Sequence, residues 1–168
     1  AKAVRAEEEA RRAGKADDAL LAKVHAVPGC ENLTWNDLQI ASTIFAVKPG
    51  DGSAREQAAS CQRVLGAGAN IVTEYATKRY RSNLINWGML PFITDADLAA
   101  TLKVGDWLAV PNVRKAVQNA EPTILAYVVR ENGSAEQIAL TLKDLTDDER
   151  QIILDGCLIN FYNSTRKQ

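Results

Sequence analysis

The chain has 168 residues, 46% of them hydrophobic and 24% charged, and its 20 basic and 21 acidic side chains leave a formal net charge of −1. These figures exclude disorder for the bulk of the chain, because enough apolar mass is present to offset the entropy of ordering it. They show none of the basic excess of a nonspecific nucleic-acid binder, and no apolar run approaches the ~20 residues that cross a bilayer, so neither nucleic acid nor membrane is expected as a partner.

The length fits one domain, 1–168, with a helical N-terminal extension over 1–30 and a core over about 38–162. The first residues, AKAVRAEEEARR, lack the apolar centre of a signal peptide. The chain opens on Ala1 within a charged helix, as if something came before it. Three cysteines form no CxxC and only one histidine is present, which argues against a self-contained zinc or iron site and for a reduced, cytoplasmic protein.

In chain order, residues 1–27 read as helix, rich in Ala, Glu, Arg and Lys, with Leu20, Leu21, Val24 and Val27 at helical spacing. Gly14 and Asp17 are candidate break points. Glu7, Glu8 and Glu9 read as a solvated face. His25 reads as a packing or surface histidine rather than a base. Pro28–Gly29 is a turn. Gln39–Val47 reads as a buried strand, Ala54–Leu65 as a helix stopped by Gly66–Ala67–Gly68, Asn70–Thr73 as a second strand and Thr77–Trp87 as a helix, together a βαβ-like unit. Asp95–Leu102 reads as a short helix, and Asp106–Val110 and Thr123–Arg130 as strands. Asn132–Gly133 is a hairpin turn signal, with Glu136–Thr141 as the return strand. Thr146–Phe161 reads as a last helix, opened by the capping box of Thr146 and Glu149.

Chemistry concentrates in Lys48-Pro49-Gly50-Asp51-Gly52-Ser53-Ala54-Arg55-Glu56-Gln57. Glycines bracket an acid, and a serine and an arginine then fall at the start of a helix that follows a strand. Helix N-termini present unpaired N–H groups and partial positive charge, and an arginine adds a forked donor suited to carboxylate or phosphate. The pattern therefore describes an anionic-ligand site with a serine. Ser53-Ala54-Arg55-Glu56 is also S-x-x-E, and from spacing alone a capping box is the favoured reading. The segment is neither G-x-G-x-x-G, nor a Walker loop, nor a nucleophile elbow. Cys61, within the same helix, reads as a buried small apolar residue, and Cys30 and Cys157 carry no functional reading.

Gly50 to Ala59, GDGSAREQAA, resembles the G-E-G-S-S-R-E-H-A-A motif of the aconitase family. Arg63-Val64-Leu65-Gly66 is similar to the R-H-L-G that follows it, Ile71 to Ala76 to the I-I-x-x-S-F-A strand, and Asn83-Leu84 with Gly88 to Phe92 to N-L…G-L-L-P-L. The stretch from Thr146 to Asn160 resembles the family's closing helix. The resemblance runs over Ser42–Asn160 and is to the family's C-terminal swivel domain. It implies an α/β fold with a mixed β-barrel-like core and flanking helices. It implies a hydro-lyase acting on a hydroxy polycarboxylic acid, with a 4Fe-4S cluster whose ligands lie outside this chain. Ser53 would be the catalytic base. Arg55 would bind a substrate carboxylate, with Gly52 and Ala54 at substrate-binding positions and no metal ligand in the chain.

Ala54 stands where the family has a serine, Gln57 where it has a histidine, and Thr77–Ser82 is about one residue longer than the family pattern, departures that suggest a divergent subgroup with altered specificity. The implied partners are the remaining domains, or a large subunit, carrying the cluster, and the isolated domain would be inactive. The alternatives are a stand-alone small subunit like that of isopropylmalate isomerase, and a non-catalytic binding module of the same fold.

Overall fold

The computed structural model describes residues 2–165. Ala1, where the expected first helix begins, and residues 166–168, at the end of the expected domain, lie outside them. The first helical segment is divided as Gly14 and Asp17 suggest, into α1 (Lys2–Arg12) and α2 (Asp18–His25). Asp17 caps α2, its carboxylate accepting from the Ala19 N–H at 2.9 Å.

The acidic run on α1 is not simply solvated. Glu7 and Glu9 are exposed, but Glu8 is buried and accepts from Arg11 Nε at 2.7 Å, Arg12 Nε at 2.8 Å and the Ile40 N–H at 2.9 Å. Arg11 also donates to the Trp35 carbonyl at 2.7 Å. The residue that looked like one charge among three thus anchors α1 to the segment leading into the sheet. A buried carboxylate persists only when such donors compensate its lost hydration. Burial by itself pushes the Glu8 carboxyl upward, but the hydrogen bonds from Arg11, Ile40 and Arg12 outweigh it and bring it down to about 2.

Six strands form one open sheet: β1 (Ser42–Ala46), β2 (Ala67–Val72), β3 (Leu90–Ile93), β4 (Trp107–Ala109), β5 (Thr123–Val129) and β6 (Ala135–Thr141), in the spatial order β1-β2-β3-β6-β5-β4. β1, β2 and β3 run parallel, joined by crossovers through α3 (Arg55–Val64) and α4 (Lys78–Asn86), so the expected βαβ unit is present twice in succession. β4, β5 and β6 are antiparallel, and the β5–β6 hairpin turns at Asn132–Gly133, where Asn132 Oδ1 accepts from the Ser134 N–H at 3.0 Å. The two halves meet where Ile93 pairs with Thr141. The mixed α/β architecture with flanking helices is as expected, and its sheet stays open, with β1 and β4 at opposite edges.

Strand β3 was not legible as a strand. It is four residues long and contains Pro91, which has no N–H for a ladder. The strand tolerates it because β6 reaches β3 only at Ile93, so the β6 side of β3 is unpaired at Pro91. The remaining helices are α5 (Ala96–Thr101), α6 (Val113–Gln118), α7 (Asp147–Asp155) and α8 (Leu158–Thr165). The single last helix expected over Thr146–Phe161 is therefore two, separated at Gly156, which adopts the left-handed conformation at the end of α7. The Thr146–Glu149 capping box is present, with reciprocal bonds of 2.9 and 3.2 Å.

The main apolar core lies between the sheet and α6–α7, around Phe92, Val117, Ile124, Val128 and Leu140. A second cluster of Ala59, Ala67, Tyr80, Leu84 and Met89 joins α3 and α4 to the parallel half. His25 is half-buried, with Nε2 2.8 Å from the Leu33 carbonyl, as a packing histidine would be.

Candidate active site

The segment between β1 and α3 lies at the carboxyl end of a parallel strand, where open α/β folds place their ligands. It is held by its neighbours rather than by its own capping. The Thr73 and Glu74 N–H groups donate to the Val47 carbonyl at 3.2 and 3.0 Å, and the Ala76 N–H donates to the Pro49 carbonyl at 3.0 Å. Lys48 and Glu74 form an exposed ion pair at 2.9 Å on its rim.

Helix α3 starts at Arg55 with Ala54 at its N-cap, and no side chain caps it. The expected Ser53–Glu56 capping box does not form. Ser53 stands outside the helix, exposed, and among the described residues its hydroxyl has no hydrogen-bond partner. Glu56 instead turns to α4, accepting from Trp87 Nε1 at 2.7 Å. A tertiary partner outside the segment has taken the side chain that local spacing assigns to the cap.

Arg55 is half-buried and folds back over the turn. Its Nε donates to the Gly50 carbonyl at 3.1 Å and its Nη2 to the Asp51 carbonyl at 3.4 Å. The Gly50 carbonyl also accepts from Thr77 Oγ1 at 3.0 Å, and the same Thr77 oxygen caps α4 by accepting from the Tyr80 N–H at 3.2 Å. The turn thus sits against the start of α4, where Lys78 and Arg79 are exposed. Ser53 and Arg55, expected together, lie within one short turn. Gly52 and Ala54 are exposed on the same turn.

The glycine that the geometry requires is Gly50, not Gly52. Gly50 has φ +99°, and a Cβ there would lie 2.5 Å from Tyr80 Cβ and Cγ and 2.6 Å from Cδ1. A Cβ at Gly52 would meet nothing. Tyr80 is buried, and its hydroxyl accepts from Gln62 Nε2 at 2.8 Å and Asn70 Nδ2 at 3.0 Å. Tyr75 packs beside it, ring centroids 6.2 Å apart. Burial, with Tyr80 adding to it and Arg81 opposing, pushes the Tyr75 phenol far above its ordinary range. Thr77 and Tyr80, which support the turn from α4, carried no such signal in the sequence, since they lie in the Thr77–Ser82 stretch between the matched motifs.

Cys61 is exposed on α3, not buried as its apolar neighbours suggest. Cys30 is buried and Cys157 half-buried. Among the described residues no three His, Cys, Asp or Glu side chains come together as a metal-binding group, so these residues do not build a donor set for a cluster. No helix among them is long and apolar enough to cross a membrane.

Residues 9–97 match the aconitase C-terminal domain, a span that contains β1, α3, β2, α4, β3 and the turn with Ser53 and Arg55. The chain belongs to that family. Within the aconitase relatives, aconitate hydratase A of Rickettsia bellii (strain RML369-C) is 28% identical over 125 residues, which is 73% of this chain and 14% of that protein. This chain thus spans about one seventh of the length of the aconitase relative it matches. The family match ends at Asp97, and the antiparallel half of the sheet and the closing helices lie beyond it.

Proposed function

We propose that this chain is the C-terminal swivel domain of an aconitase-like hydro-lyase, and that it supplies Ser53 as the base and Arg55 as a carboxylate-binding residue. The observation that carries the reading is the state of Ser53. Its hydroxyl is exposed and uncommitted to the cap, on a turn whose other end is the Arg55 guanidinium. A serine is a poor base in water because its alkoxide is unfavourable. The positive end of α3 and the Arg55 charge provide fields that stabilise an anionic oxygen.

In the reaction, Ser53 Oγ takes the proton from the carbon beside a substrate carboxylate. The C–H electron pair becomes the new C=C bond, and the hydroxyl on the adjacent carbon departs as hydroxide, which takes up a proton to leave as water while Ser53 gives up the one it removed. Arg55 offers its remaining donors to a carboxylate, with Lys78 and Arg79 adding positive potential at the rim. The family resemblance implies a 4Fe-4S cluster elsewhere in the full protein, which would supply Lewis-acid chemistry at the leaving hydroxyl, and remaining domains or a large subunit to carry it. The three free thiols suit a reducing, cytoplasmic setting.

The test is made on the full-length protein, with citrate and cis-aconitate as probes. Ser53→Ala is expected to lower kcat by ~10²–10⁴-fold with a much smaller change in KM. Arg55→Lys is expected to raise KM, because a point charge replaces a fork. Unchanged turnover in the Ser53→Ala enzyme removes Ser53 as the base. Turnover by the isolated 168-residue chain without added iron removes the whole assignment.

A further inference from the structure

We infer that Tyr80 is the positioning residue of the reactive turn: its ring occupies the side-chain space of Gly50 and so fixes the carbonyl on which Arg55 and Thr77 converge. The inference rests on the reading of Ser53 and Arg55 above, and it deepens it by naming what holds them.

The geometry runs outward from the core. The far end of the Tyr80 ring is pinned between α3 and β2, because its hydroxyl accepts from Gln62 and from the fully buried Asn70. The near end of the ring touches Gly50 so closely that only a residue without a Cβ fits there. With the Gly50 α-carbon seated on the ring, its carbonyl takes Arg55 Nε at 3.1 Å and Thr77 Oγ1 at 3.0 Å. The turn is therefore closed at one end by Gly50 on Tyr80 and at the other by Arg55 on Gly50. Ser53 stands between the two closures with no bond of its own among the described residues. Nothing local holds its Oγ in place, so its position follows from theirs. Tyr80 touches no reacting atom. It acts through Gly50, and the catalytic consequence passes through Arg55 and Ser53.

This assigns separable roles to ring and hydroxyl. The ring fills Gly50's space, and the hydroxyl keeps the ring from rocking. Tyr80→Phe retains the first and loses the second. Tyr80→Leu retains apolar bulk for the α3–α4 core but replaces the planar Cγ and Cδ1 on which Gly50 rests with tetrahedral carbons, and loses the hydroxyl contacts to Gln62 and Asn70. A displacement of about 1 Å in a reacting group costs up to ~10²-fold, so the turn need not unfold to lose activity.

The experiment compares both variants in the full-length protein, with cis-aconitate as the probe and amide hydrogen exchange as a second readout. Tyr80→Leu is expected to raise KM and lower kcat, ~10-fold or more in kcat/KM, while Tyr80→Phe stays within ~3-fold of wild type. In the Leu variant the Ala76 amide, which holds the Pro49 carbonyl, should exchange ~10-fold faster, while the Ile71 amide inside β2 keeps its protection. A merely structural role predicts instead that the Ile71 amide loses protection along with the turn, and that outcome overturns the inference. Wild-type kinetics and wild-type Ala76 exchange in the Leu variant overturn the inference. Unchanged turnover in the Ser53→Ala enzyme defeats the functional reading instead, and the exchange data then decide on their own whether Tyr80 seats the turn.

Discussion

Trp87 donates its indole N–H to the Glu56 carboxylate at 2.7 Å, tying the end of α4 to the first turn of α3. This bond keeps the Glu56 side chain from reaching back to the start of α3, where Ala54 rather than Ser53 occupies the N-cap. Trp87→Phe removes the donor and keeps most of the packing. It is expected to cost ~1 kcal/mol, a fall of roughly 2–4 °C in Tm, read by thermal melting followed by circular dichroism.

Ser53→Ala separates capping from chemistry. A capping serine costs ~1 kcal/mol when lost, whereas an exposed serine with no partner falls within about 0.5 kcal/mol of neutral. The structure predicts the second outcome in urea unfolding, with the loss confined to turnover. A drop near ~1 kcal/mol would restore the capping reading.

Glu8 predicts a defined acid limb. Its folded-state value lies near 2, below the ordinary 4.5, so its contribution is complete above the unfolded value and fades as pH falls toward the folded one. At 11% side-chain exposure the shift corresponds to at most ~3 kcal/mol, less what residual solvent screens. Glu8→Gln should lower stability at neutral pH and flatten the stability profile between about pH 5 and pH 2, measured by denaturant unfolding across that window. A variant whose profile parallels wild type there would show that the contacts of Glu8 with Arg11, Arg12 and Ile40 add nothing.

Gly88 and Gly156 meet backbone to backbone where α4 and α7 end. A Cβ on Gly88 would fall on the Gly156 carbonyl, and its φ of +68° disfavours any side chain. Gly88→Ala is therefore expected to destabilise by more than ~2 kcal/mol, since neither a carbonyl nor a helix end can step aside as a flexible side chain can. Gly52→Ala, with open space around it, should remain within about 0.5 kcal/mol of wild type in the same assay.

Much of the fold was readable because its signals are local. Asp17 caps α2, Thr146 and Glu149 cap α7, and Asn132–Gly133 turns the β5–β6 hairpin, each through contacts only a few residues apart. β3 was not readable: four residues with a proline carry no strand signal, and their conformation is imposed by β2. Neither was α6, six residues long and entered through Asn112 in a left-handed conformation. Within the site, the motif placed Ser53 and Arg55 on one turn, and the turn is there. The support from Thr77 and Tyr80 comes from residues more than twenty positions away and leaves no periodic trace.

The sequence by itself determined the near-neutral charge, the alternation of strand and helix in the first half, and a glycine-bracketed serine and arginine before a helix. These are properties of composition and short spacing, which a chain expresses wherever it folds. The tertiary structure decided what each polar group does. It buried Glu8 and left Glu7 and Glu9 in water, gave Glu56 to Trp87, left Ser53 uncapped, and pressed Gly50 onto Tyr80. The physical reason is shared by Glu8, Glu56 and Gly50, while Ser53 is left over because Ala54 takes the N-cap. A charge or a missing Cβ acquires its role from the group brought against it, and that group arrives from elsewhere in the chain.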